Sequence, residues 1–472
     1  MSLPAARRLL FYAHCALAWL LIVFLAVQTF PLQAHAFFGG VTIKDEKEMG
    51  RKFDAMIRSN LSFVEDPEVK QYVAYITDRL VRAMPKQVYA FNSSVILNNA
   101  LNAFAVPGGY IYVFSGLIMH FNSEDELAGV MAHELAHVTQ RHVASRLERA
   151  QFVTLASLLL AVAGVAAGGA GGAVAVGAMS AGQAAMLNYS RLDETDADQI
   201  GLQYLAAAGY PPNGMTGGFK VLRQKSMLNG TSVPAYLSTH PAIGERINTL
   251  QSRIAAMPAQ VRGRKQDNTR FKRVNTLLWA RYGDEQAALQ RFAKNDALSA
   301  MGRGIVLNRL NRIPQAAAAF DKALAADPDD SLVLREAGIF HFRRGEMGQA
   351  ETLLTKALRL DPRDYMAVFF YARMLDESGR GAESARHYED VLRYVPEDAE
   401  VHEAYARSLG KAGKQFEAYV HLTYSTLYAN RRKLAERYFA KAKSLAGNAS
   451  DKRPFQRLET AYNERREIWE KQ

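Results

Sequence analysis

The sequence predicts a mainly α chain with a small β-sheet, in which a mixed amino-terminal domain is followed by a carboxy-terminal α-solenoid. Three observations lead to this prediction. A His133-Glu-Leu-Ala-His137 pattern has helical spacing, two strand-like runs joined by a glycine turn precede it, and the last third repeats every 34 residues. The chain has 472 residues, of which 49% are hydrophobic, which is enough for two or three domains with a substantial core.

The first 36 residues are typical of a signal peptide that is removed on export. Arg7 and Arg8 precede an apolar run over residues 9–30, and Ala34-His-Ala36 fits an A-x-A cleavage site. A retained membrane anchor is the alternative, but the run is near the lower length of a span and polar residues interrupt it. The single cysteine, Cys15, lies in this segment, so the mature chain would need no disulfides in an oxidising compartment.

Two helices with a break at Glu65-Asp-Pro67 are expected next, and residues 88–97 alternate apolar and polar as a strand does. A second arm leads into a Pro-Gly-Gly turn, after which Tyr110 to Phe114 resume a strand pattern. We expect a small sheet beside a cleft, whose outer strand can pair with an extended peptide. A plain hairpin arm is the alternative. The candidates for substrate binding are Asn102, Ala103, Phe104 and Ala105.

The zinc-binding pattern comes from His133 and His137, which lie four residues apart and therefore on one helix face. Neutral imidazole suits zinc, and Glu134 is placed to handle the proton of a water at the metal. An apparent capping box, Ser123-Glu-Asp-Glu126, and an apolar stripe place the pattern well inside a helix of roughly twenty residues. Two chance histidines on an amphipathic helix are the alternative. We predict a zinc hydrolase, with one zinc ion per chain.

The segment from Gln151 to Ser190 contains no charged residue and is rich in small apolar residues. Its hydropathy would allow it to cross a bilayer, and a plain core helix is a further alternative. Its glycines and its position between presumed metal ligands favour a mobile flap over the cleft or a hairpin that dips into a membrane surface.

The third metal ligand is expected in the acidic stretch from Arg191 to Asp198, which runs into an apolar helix. Zincins need a third protein ligand and leave one position open for water, and we predict Glu194. Asp198 is four residues further on, on the same face, where it can accept the outer N–H of a ligating histidine. Alternatively these acids cap the helix, which is all we expect of Asp193 and Asp196.

Charge is unevenly distributed between the two halves of the chain. Residues 1–262 have 21 basic and 18 acidic side chains, a net charge of +3, whereas residues 263–472 have 37 and 29, a net charge of +8. The basic cluster from Arg262 to Arg273 suits an anionic surface such as lipid head groups, and a solvated linker is the alternative. No nucleic-acid motif accompanies it, so we expect no nucleic-acid partner. The cluster marks the predicted boundary between a domain over 37–262 and a linker with leading helices over 263–296.

The last predicted domain, residues 297–472, contains Pro328, Pro362 and Pro396 at intervals of 34 residues. Small residues recur in phase inside the helices and at the turns, namely Gly304, Gly338, Gly345, Gly379 and Gly413. This is the period of tetratricopeptide repeats, in which small residues let paired helices approach each other. Three repeats are expected, at 297–330, 331–364 and 365–398, with a fourth from Ala399. Such a solenoid offers a concave binding face and no chemistry of its own.

Four separated segments resemble the zinc metalloproteases that include HtpX and the CaaX-prenyl endopeptidases, in the order found in that family. They are 102–105, 133–137, 194–198 and 238–241, within a similarity that covers roughly residues 44–255. The resemblance implies a zincin-like metallopeptidase domain in which His133, His137 and Glu194 bind zinc and Glu134 is the general base. Because several clear membrane spans are missing, the chain is most similar to the BepA-type soluble branch, which has a tetratricopeptide tail.

The same resemblance suggests how the enzyme is controlled and where it acts. In the BepA-type branch a histidine in the segment matching His240 can fill the open zinc position, so His240 is a possible regulatory fourth ligand. Arg246 is expected to orient a substrate carbonyl or a neighbouring acid. Tyr236, His240 and Arg246 all remain candidates for stabilising the oxyanion.

By resemblance, the function is that of a periplasmic protease-chaperone in quality control or assembly of outer-membrane proteins. Its partners would be outer-membrane β-barrel proteins and their assembly machinery, reached through the repeats, with possible peripheral membrane contact. The alternative is mainly a chaperone or adaptor whose zinc site is normally shut.

Overall fold

The two predicted leading helices are present in the computed structural model, which describes residues 41–149, 189–228 and 235–470. They are α1 (Ile43–Asn60) and α2 (Pro67–Arg82). Helix α2 starts where the sequence favours it, because Asp66 accepts from the backbone N–H of Glu68 at 2.9 Å and Pro67 occupies the first turn. The predicted signal peptide and nearly all of the uncharged segment lie outside the described residues.

The sheet has three strands, β1 (Asn92–Ile96), β2 (Ala103–Val106) and β3 (Tyr110–Phe114), in the order β1-β3-β2. Strand β1 runs parallel to β3, and β2 runs antiparallel to it. The predicted hairpin is confirmed, and Gly108 and Gly109 adopt positive φ at its turn. The first strand is shorter than the alternating pattern indicated, because residues 88–91 precede the pairing with β3.

Strand β2 forms one edge of this sheet. The carbonyl of Asn102 accepts the N–H of Phe114 at 3.0 Å, and bonded pairs alternate along an antiparallel ladder. Phe104, opposite Tyr112, is therefore the next bonded position. It follows that Ala103 and Ala105, which are both buried, turn their N–H and C=O groups away from β3, toward the side of β2 that pairs with no other strand among the described residues.

The remaining helices of this domain surround a central helix, α4 (Glu124–Thr139), which is buried along most of its length. The others are α3 (Ser115–His120), α5 (His142–Arg149), α6 (Arg191–Ala207), α7 (Asn213–Leu228), α8 (Ala235–Thr239), α9 (Ile243–Ala255) and α10 (Ala259–Arg262). Helix α6 lies close to α4 because Gly201 faces its backbone, where an added Cβ would sit 3.0 Å from the Cα of His133. This close approach brings the acids of α6 beside the two histidines.

The start of α4 differs from the prediction. The helix has 16 residues instead of about twenty, and the Ser123 side chain forms no capping bond. Glu126 does reach back, accepting the N–H of Asn122 at 2.7 Å. The first helical N–H, that of Glu124, is bonded at 2.8 Å by the side chain of Asn268, 144 residues further along the chain. The predicted capping box is therefore wrong, because a tertiary contact replaces its serine.

Helix α11 (Thr269–Tyr282) and helix α12 (Glu285–Arg291) follow the predicted boundary. Phe271, Val274 and Leu278 on α11 are buried in the same hydrophobic core as α4. Asn275 and Trp279 donate to the carbonyls of Ile118 and Met119, which end α3. Helix α11 thus packs against the amino-terminal domain, and the boundary at residue 262 stays a prediction.

Several basic residues of the 262–273 cluster contact other parts of the chain. Arg264 donates to the carbonyl of Ala206, and Arg270 lies 4.4 Å from the ring centre of Tyr75. Arg273 bridges Glu68 at 2.8 Å and Asp330 at 2.5 Å. The cluster is therefore neither a freely solvated linker nor wholly available to an anionic surface.

The predicted repeats are confirmed as helix pairs with the expected register. They are α13 (Ala297–Arg309) with α14 (Ile313–Ala326), α15 (Ser331–Arg343) with α16 (Met347–Leu360), α17 (Tyr365–Glu377) with α18 (Gly381–Tyr394), and α19 (Ala399–Lys411) with α20 (Gln415–Tyr428). Helices α21 (Arg432–Leu445) and α22 (Lys452–Glu470) follow. Gly345, Gly379 and Gly413 turn the chain with φ of 76–78°. A Cβ at Gly338 would lie 2.9 Å from Leu354, so paired helices touch there.

An ionic network joins the repeats to α2. Arg335 of α15 is completely buried and contacts Asp66 at 3.2 Å, Glu336 at 2.9 Å and Asp364 at 3.0 Å. Arg281 of α11 contacts the same Asp66 at 2.6 Å. Asp66 and Asp364 also cap helices, so the same carboxylates fix helix starts and hold the two parts together. Among the described residues no helix is both long and apolar enough to cross a membrane.

Candidate metal centre

Four buried side chains from three segments converge on one point. His133 and His137 come from α4, Glu194 from the first turn of α6, and His240 from the residue after α8. One potential ligand atom from each lies within 4.8 Å of all the others, and no second group of this kind occurs among the described residues. The structure thus brings together all four predicted metal ligands.

The spacing of these atoms fits a tetrahedral metal. His133 Nε2 is 3.0 Å from His137 Nε2 and 3.4 Å from His240 Nδ1. Glu194 Oε1 is 2.9 Å from His240 Nδ1 and 3.4 Å from His137 Nε2. Ligands about 2.0–2.1 Å from a tetrahedral ion are separated by about 3.3 Å, which falls within the range of these four distances. All the ligand atoms lie within 4.8 Å of one another, so the cluster is somewhat wider than a closed tetrahedral site. The donor set, three imidazoles and a carboxylate, is also one that zinc accepts.

The protonation of the cluster favours a cation. Burial, followed by the positive charge of Arg246, lowers the pKa of His133, and burial lowers that of His137 well below its usual value. Both rings are therefore neutral and have lone pairs to donate. Burial alone would raise the pKa of Glu194, but His240 and His137 outweigh it and hold this pKa well below its usual range.

Asp198 lies where the sequence predicts, one turn after Glu194. Its Oδ1 is 2.9 Å from His133 Nδ1, the ring nitrogen that points away from the cluster. Arg246 from α9 donates to both oxygens of Asp198 at 2.7 Å, contacts Glu194, and lies over the Phe219 ring at 4.6 Å. Burial opposes ionisation of Asp198, yet bonds from Arg246 and His133 lower its pKa. Because Arg246 binds Asp198 and Glu194, it is poorly placed to reach a substrate carbonyl.

Glu134 faces the cluster without being part of it. It is completely buried, and its Oε1 lies 3.6 Å from His240 Nε2. The N–H of Ala105 faces it without reaching hydrogen-bond geometry, so both oxygens lack a bonded partner among the described residues. Burial raises the pKa of Glu134 to about 7, against the opposing effect of His240. A carboxyl group with this pKa can take and return a proton near neutral pH.

His240 is held in place by two tyrosine rings. Tyr236 stacks on it with ring centres 4.3 Å apart and 17° between the planes, and Tyr189 stacks on it with ring centres 4.9 Å apart. Tyr189 also stacks on His137, with ring centres 3.7 Å apart. The N–H of His240 donates to the carbonyl of Tyr236, and that of Tyr189 donates to the carbonyl of Thr239. The hydroxyl of Tyr236 is buried and has no hydrogen-bond partner among the described residues.

The predicted substrate-binding residues take different positions. Ala103 and Ala105 are buried, and their backbone groups point to the side of β2 that has no strand partner in the described part of the chain. Asn102 is buried, and its side-chain oxygen has no bonded partner in the described part of the chain. Phe104 stacks on Tyr112 at 5.0 Å and packs in a separate core with Phe114. Its side chain therefore supports the sheet.

The other acids of α6 give one confirmation and one correction. The capping role of Asp193 is confirmed, since it forms a reciprocal capping box with Ser190. Asp196 is too far into the helix to cap it, and its Oδ2 lies 3.3 Å from His142 Nε2 instead. Sequence reasoning missed His142 and Tyr189 as neighbours of the metal ligands. The available signal for His142 was its position five residues after His137, just beyond the end of the helix.

The fold and the site together define a metallopeptidase domain of the zincin type followed by tetratricopeptide repeats. Residues 64–254 match Peptidase family M48, and residues 341–408 match a tetratricopeptide repeat family. This part of the chain, from residue 64 to residue 254, is therefore an M48 peptidase domain, and M48 peptidases depend on a metal.

The chain is similar in sequence to several named proteases. The chain is 28% identical over 323 residues to the beta-barrel assembly-enhancing protease of Escherichia coli, covering 66% of this chain and 65% of that protein. The protein of the same name in Yersinia pestis is 29% identical over 277 residues, covering 57% and 55%. The mitochondrial metalloendopeptidase OMA1 of Arabidopsis thaliana is 36% identical over 156 residues, covering 33% and 30%. The chain thus spans less than two thirds of the length of these relatives.

Proposed function

We propose that this chain is a zinc-dependent endopeptidase of the periplasm that acts in the quality control or assembly of outer-membrane proteins. The observation that carries the proposal is the joint geometry of the site. Four potential ligand atoms within 4.8 Å of one another lie beside a buried glutamate whose pKa is raised to about 7, and the edge strand β2 directs the N–H of Ala105 toward that glutamate.

His133, His137 and Glu194 would hold the metal. A bound zinc ion supplies a Lewis acid that polarises the peptide carbonyl and acidifies water. Asp198 keeps the proton of His133 on Nδ1, so that Nε2 presents a lone pair to the cluster. Arg246 fixes the carboxylates of Asp198 and Glu194 relative to each other.

Glu134 would act as general base and then as general acid. It takes a proton from the attacking water and passes it to the leaving amine, which requires a carboxyl pKa near the working pH. Burial provides that pKa here, because it disfavours the charged form of Glu134. The role needs no side chain to bond the carboxylate in the resting state, and in the described part of the chain neither oxygen of Glu134 has a bonded partner.

An extended substrate would pair with the outer side of β2, which has no strand partner among the described residues. Ala103 and Ala105 direct their backbone groups outward, and the N–H of Ala105 faces Glu134. A peptide added to this edge gains main-chain hydrogen bonds that do not depend on its sequence. Its scissile bond would then lie beside the general base. Of the three candidates for stabilising the oxyanion we favour the Tyr236 hydroxyl, because it is buried and has no bonded partner among the described residues.

His240 would restrain the enzyme by filling the position that water needs. Its Nδ1 lies 3.4 Å from His133 Nε2 and 2.9 Å from Glu194 Oε1, inside the cluster. Opening then requires the segment after α8 to move, and a substrate or partner that binds the open state more tightly shifts the population toward it. This is the reason to expect low resting activity.

The biological assignment rests on the named relatives and on the repeats. Two of the relatives are called beta-barrel assembly-enhancing proteases. The proposed substrates are therefore outer-membrane β-barrel proteins and their assembly machinery, recruited by the concave face of the repeats. The leader predicted at residues 1–36 would direct the chain to the periplasm, with possible peripheral membrane contact.

A second candidate function is a chaperone or adaptor that binds partners through its repeats while the zinc site stays shut. The position of His240 in the cluster favours this reading. Both candidates share the same site, and they differ in whether it turns over.

The test compares wild type, Glu134→Gln and His240→Ala, each assayed for zinc content and for cleavage of β-casein. We expect full zinc in all three, slow cleavage by wild type, no cleavage by Glu134→Gln, and faster cleavage by His240→Ala. If zinc-loaded His240→Ala cleaves nothing, the adaptor function is preferred. If it is slower than wild type, His240 assists the reaction and the restraint is wrong.

A further inference from the structure

The chain turns sharply after the zinc-binding helix and returns His142 to it. Helix α4 ends at Thr139, and Arg141 adopts φ of 54°, a left-handed conformation that is strained for a non-glycine residue. The turn is secured by a 2.6 Å ion pair from Arg141 to Glu46, a buried carboxylate that also accepts from the Tyr89 hydroxyl. The fold therefore stabilises a strained turn whose effect is to place the His142 ring against His137.

The contact between these two rings determines which ring nitrogen of each histidine carries the proton. His137 Nδ1 lies 2.9 Å from His142 Nδ1, and two nitrogens approach this closely only when one of them carries a proton and the other does not. His137 directs Nε2 at the metal cluster, so its proton must be on Nδ1. His142 Nδ1 must then be the acceptor, and the proton of His142 sits on Nε2, 3.3 Å from Asp196 Oδ2.

We propose that His142 is a positioning residue for the metal site, which fixes the tautomer and ring orientation of His137 and connects it to Asp196. The proposal rests on the proposed function, because it requires His137 to be a ligand. It gives the two ligand histidines parallel supports, since His133 donates directly to Asp198 and His137 donates through His142 to Asp196. Both supports end on α6, the helix that carries Glu194. Three ligands and their partners thus form one connected unit.

A purely structural role for His142 predicts different consequences. The ring is nearly buried and packs edge-on against His137, with centroids 5.0 Å apart, so its removal would also leave a cavity. Packing depends on the volume of the side chain, whereas positioning depends on an acceptor at the place of Nδ1. Asparagine carries its carbonyl oxygen near that place, and glutamine carries its amide near the place of Nε2.

The experiment uses the full chain with His142→Ala, His142→Asn and His142→Gln, and His341→Ala on α15 as a matched control. Zinc affinity is measured by competition with a chelator, and Co²⁺-loaded protein is examined by NMR for the exchangeable ring N–H signals of its ligands. We expect His142→Ala and His142→Gln to bind zinc 10–100-fold more weakly and to lose one N–H signal to solvent exchange. His142→Asn and the control should keep near wild-type affinity and all signals.

Equal affinities for His142→Asn and His142→Gln would overturn the proposal, because only the acceptor position distinguishes them. Circular dichroism of each variant separates loss of metal from loss of fold, and the Asn and Gln pair remains informative even where His142→Ala does not fold. If wild type itself binds neither zinc nor Co²⁺, the metal site is wrong and this role with it. If wild type binds both and all three variants match it, only the role of His142 is refuted.

Discussion

The contacts of α11 predict where the peptidase domain can be separated from the repeats. A chain that ends at Arg262 keeps every proposed metal ligand but loses Phe271, Val274 and Leu278 from the core around α4. A chain that ends at Arg291 keeps them, together with the Asn275 bond to the end of α3. We expect the longer fragment to fold and bind zinc, and the shorter one to do neither.

The magnitude follows from buried area and lost bonds. Burial of one large apolar side chain contributes about 1.5–3 kcal/mol, so loss of three removes roughly 5–9 kcal/mol as an upper estimate. The shorter fragment also loses Asn268, which caps the first N–H of α4, a contribution of about 1 kcal/mol. Domains are stable by about 5–15 kcal/mol in total. The loss is therefore comparable with the whole stability of the domain that holds the metal ligands.

The assay is thermal unfolding by circular dichroism with parallel zinc analysis of fragments that start after the predicted leader. The longer fragment should unfold cooperatively and contain about one zinc ion per chain. A fragment ending at Arg262 that unfolds cooperatively and holds zinc would refute this reasoning. It would show that α11 belongs energetically to the repeats and would support the boundary predicted from the sequence.

Three further predictions concern single side chains. Glu194→Ala should lose most bound zinc by metal analysis, and retention of a full equivalent would exclude it as third ligand. Tyr236→Phe should keep zinc and reduce the kcat for β-casein in a His240→Ala background, whereas unchanged kcat would remove its hydroxyl from the mechanism. Arg335→Ala leaves the buried Asp364 without its cation and should destabilise the chain by about 3–5 kcal/mol in denaturant unfolding. Arg380, on an exposed turn, is its control, and equal effects of the two substitutions would show that the network contributes little.

The parts of the fold that sequence predicted are those fixed by local chemistry or by strict periodicity. The break at Pro67, the Gly108-Gly109 turn and the 34-residue register of the prolines each depend on residues near one another in the chain. The start of α4 could not be found in this way, because its capping partner Asn268 lies in a distant segment. The same holds for α11, whose sequence predicts a helix without indicating that it joins two cores.

The metal site was predictable in part, because helical spacing shows which acids of α6 share a face but not which residues they contact. A four-residue spacing places Glu194 and Asp198 on one face of α6, and the structure directs that face at α4. Asp196 lies about 200° around the helix from Glu194, so it faces away from the cluster and reaches His142 instead. Asp193 precedes both, and its carboxylate caps the first turn of the helix and pairs with Arg146 at 2.9 Å.

Three aspartates on one helix therefore have different contacts, because the helical angle directs them at different neighbours. Asp198 supports the ligand His133, Asp196 contacts His142, and Asp193 caps the helix. The spacing in the sequence shows on which face of the helix each acid lies. Its role can be assigned only when the residue that it contacts on that face is known. His142 is the clearest example, since its role depends on a left-handed turn at Arg141 that no helix pattern predicts. The helical pattern thus shows which residues can act together around a metal. The turn after α4 adds His142, which the pattern does not predict.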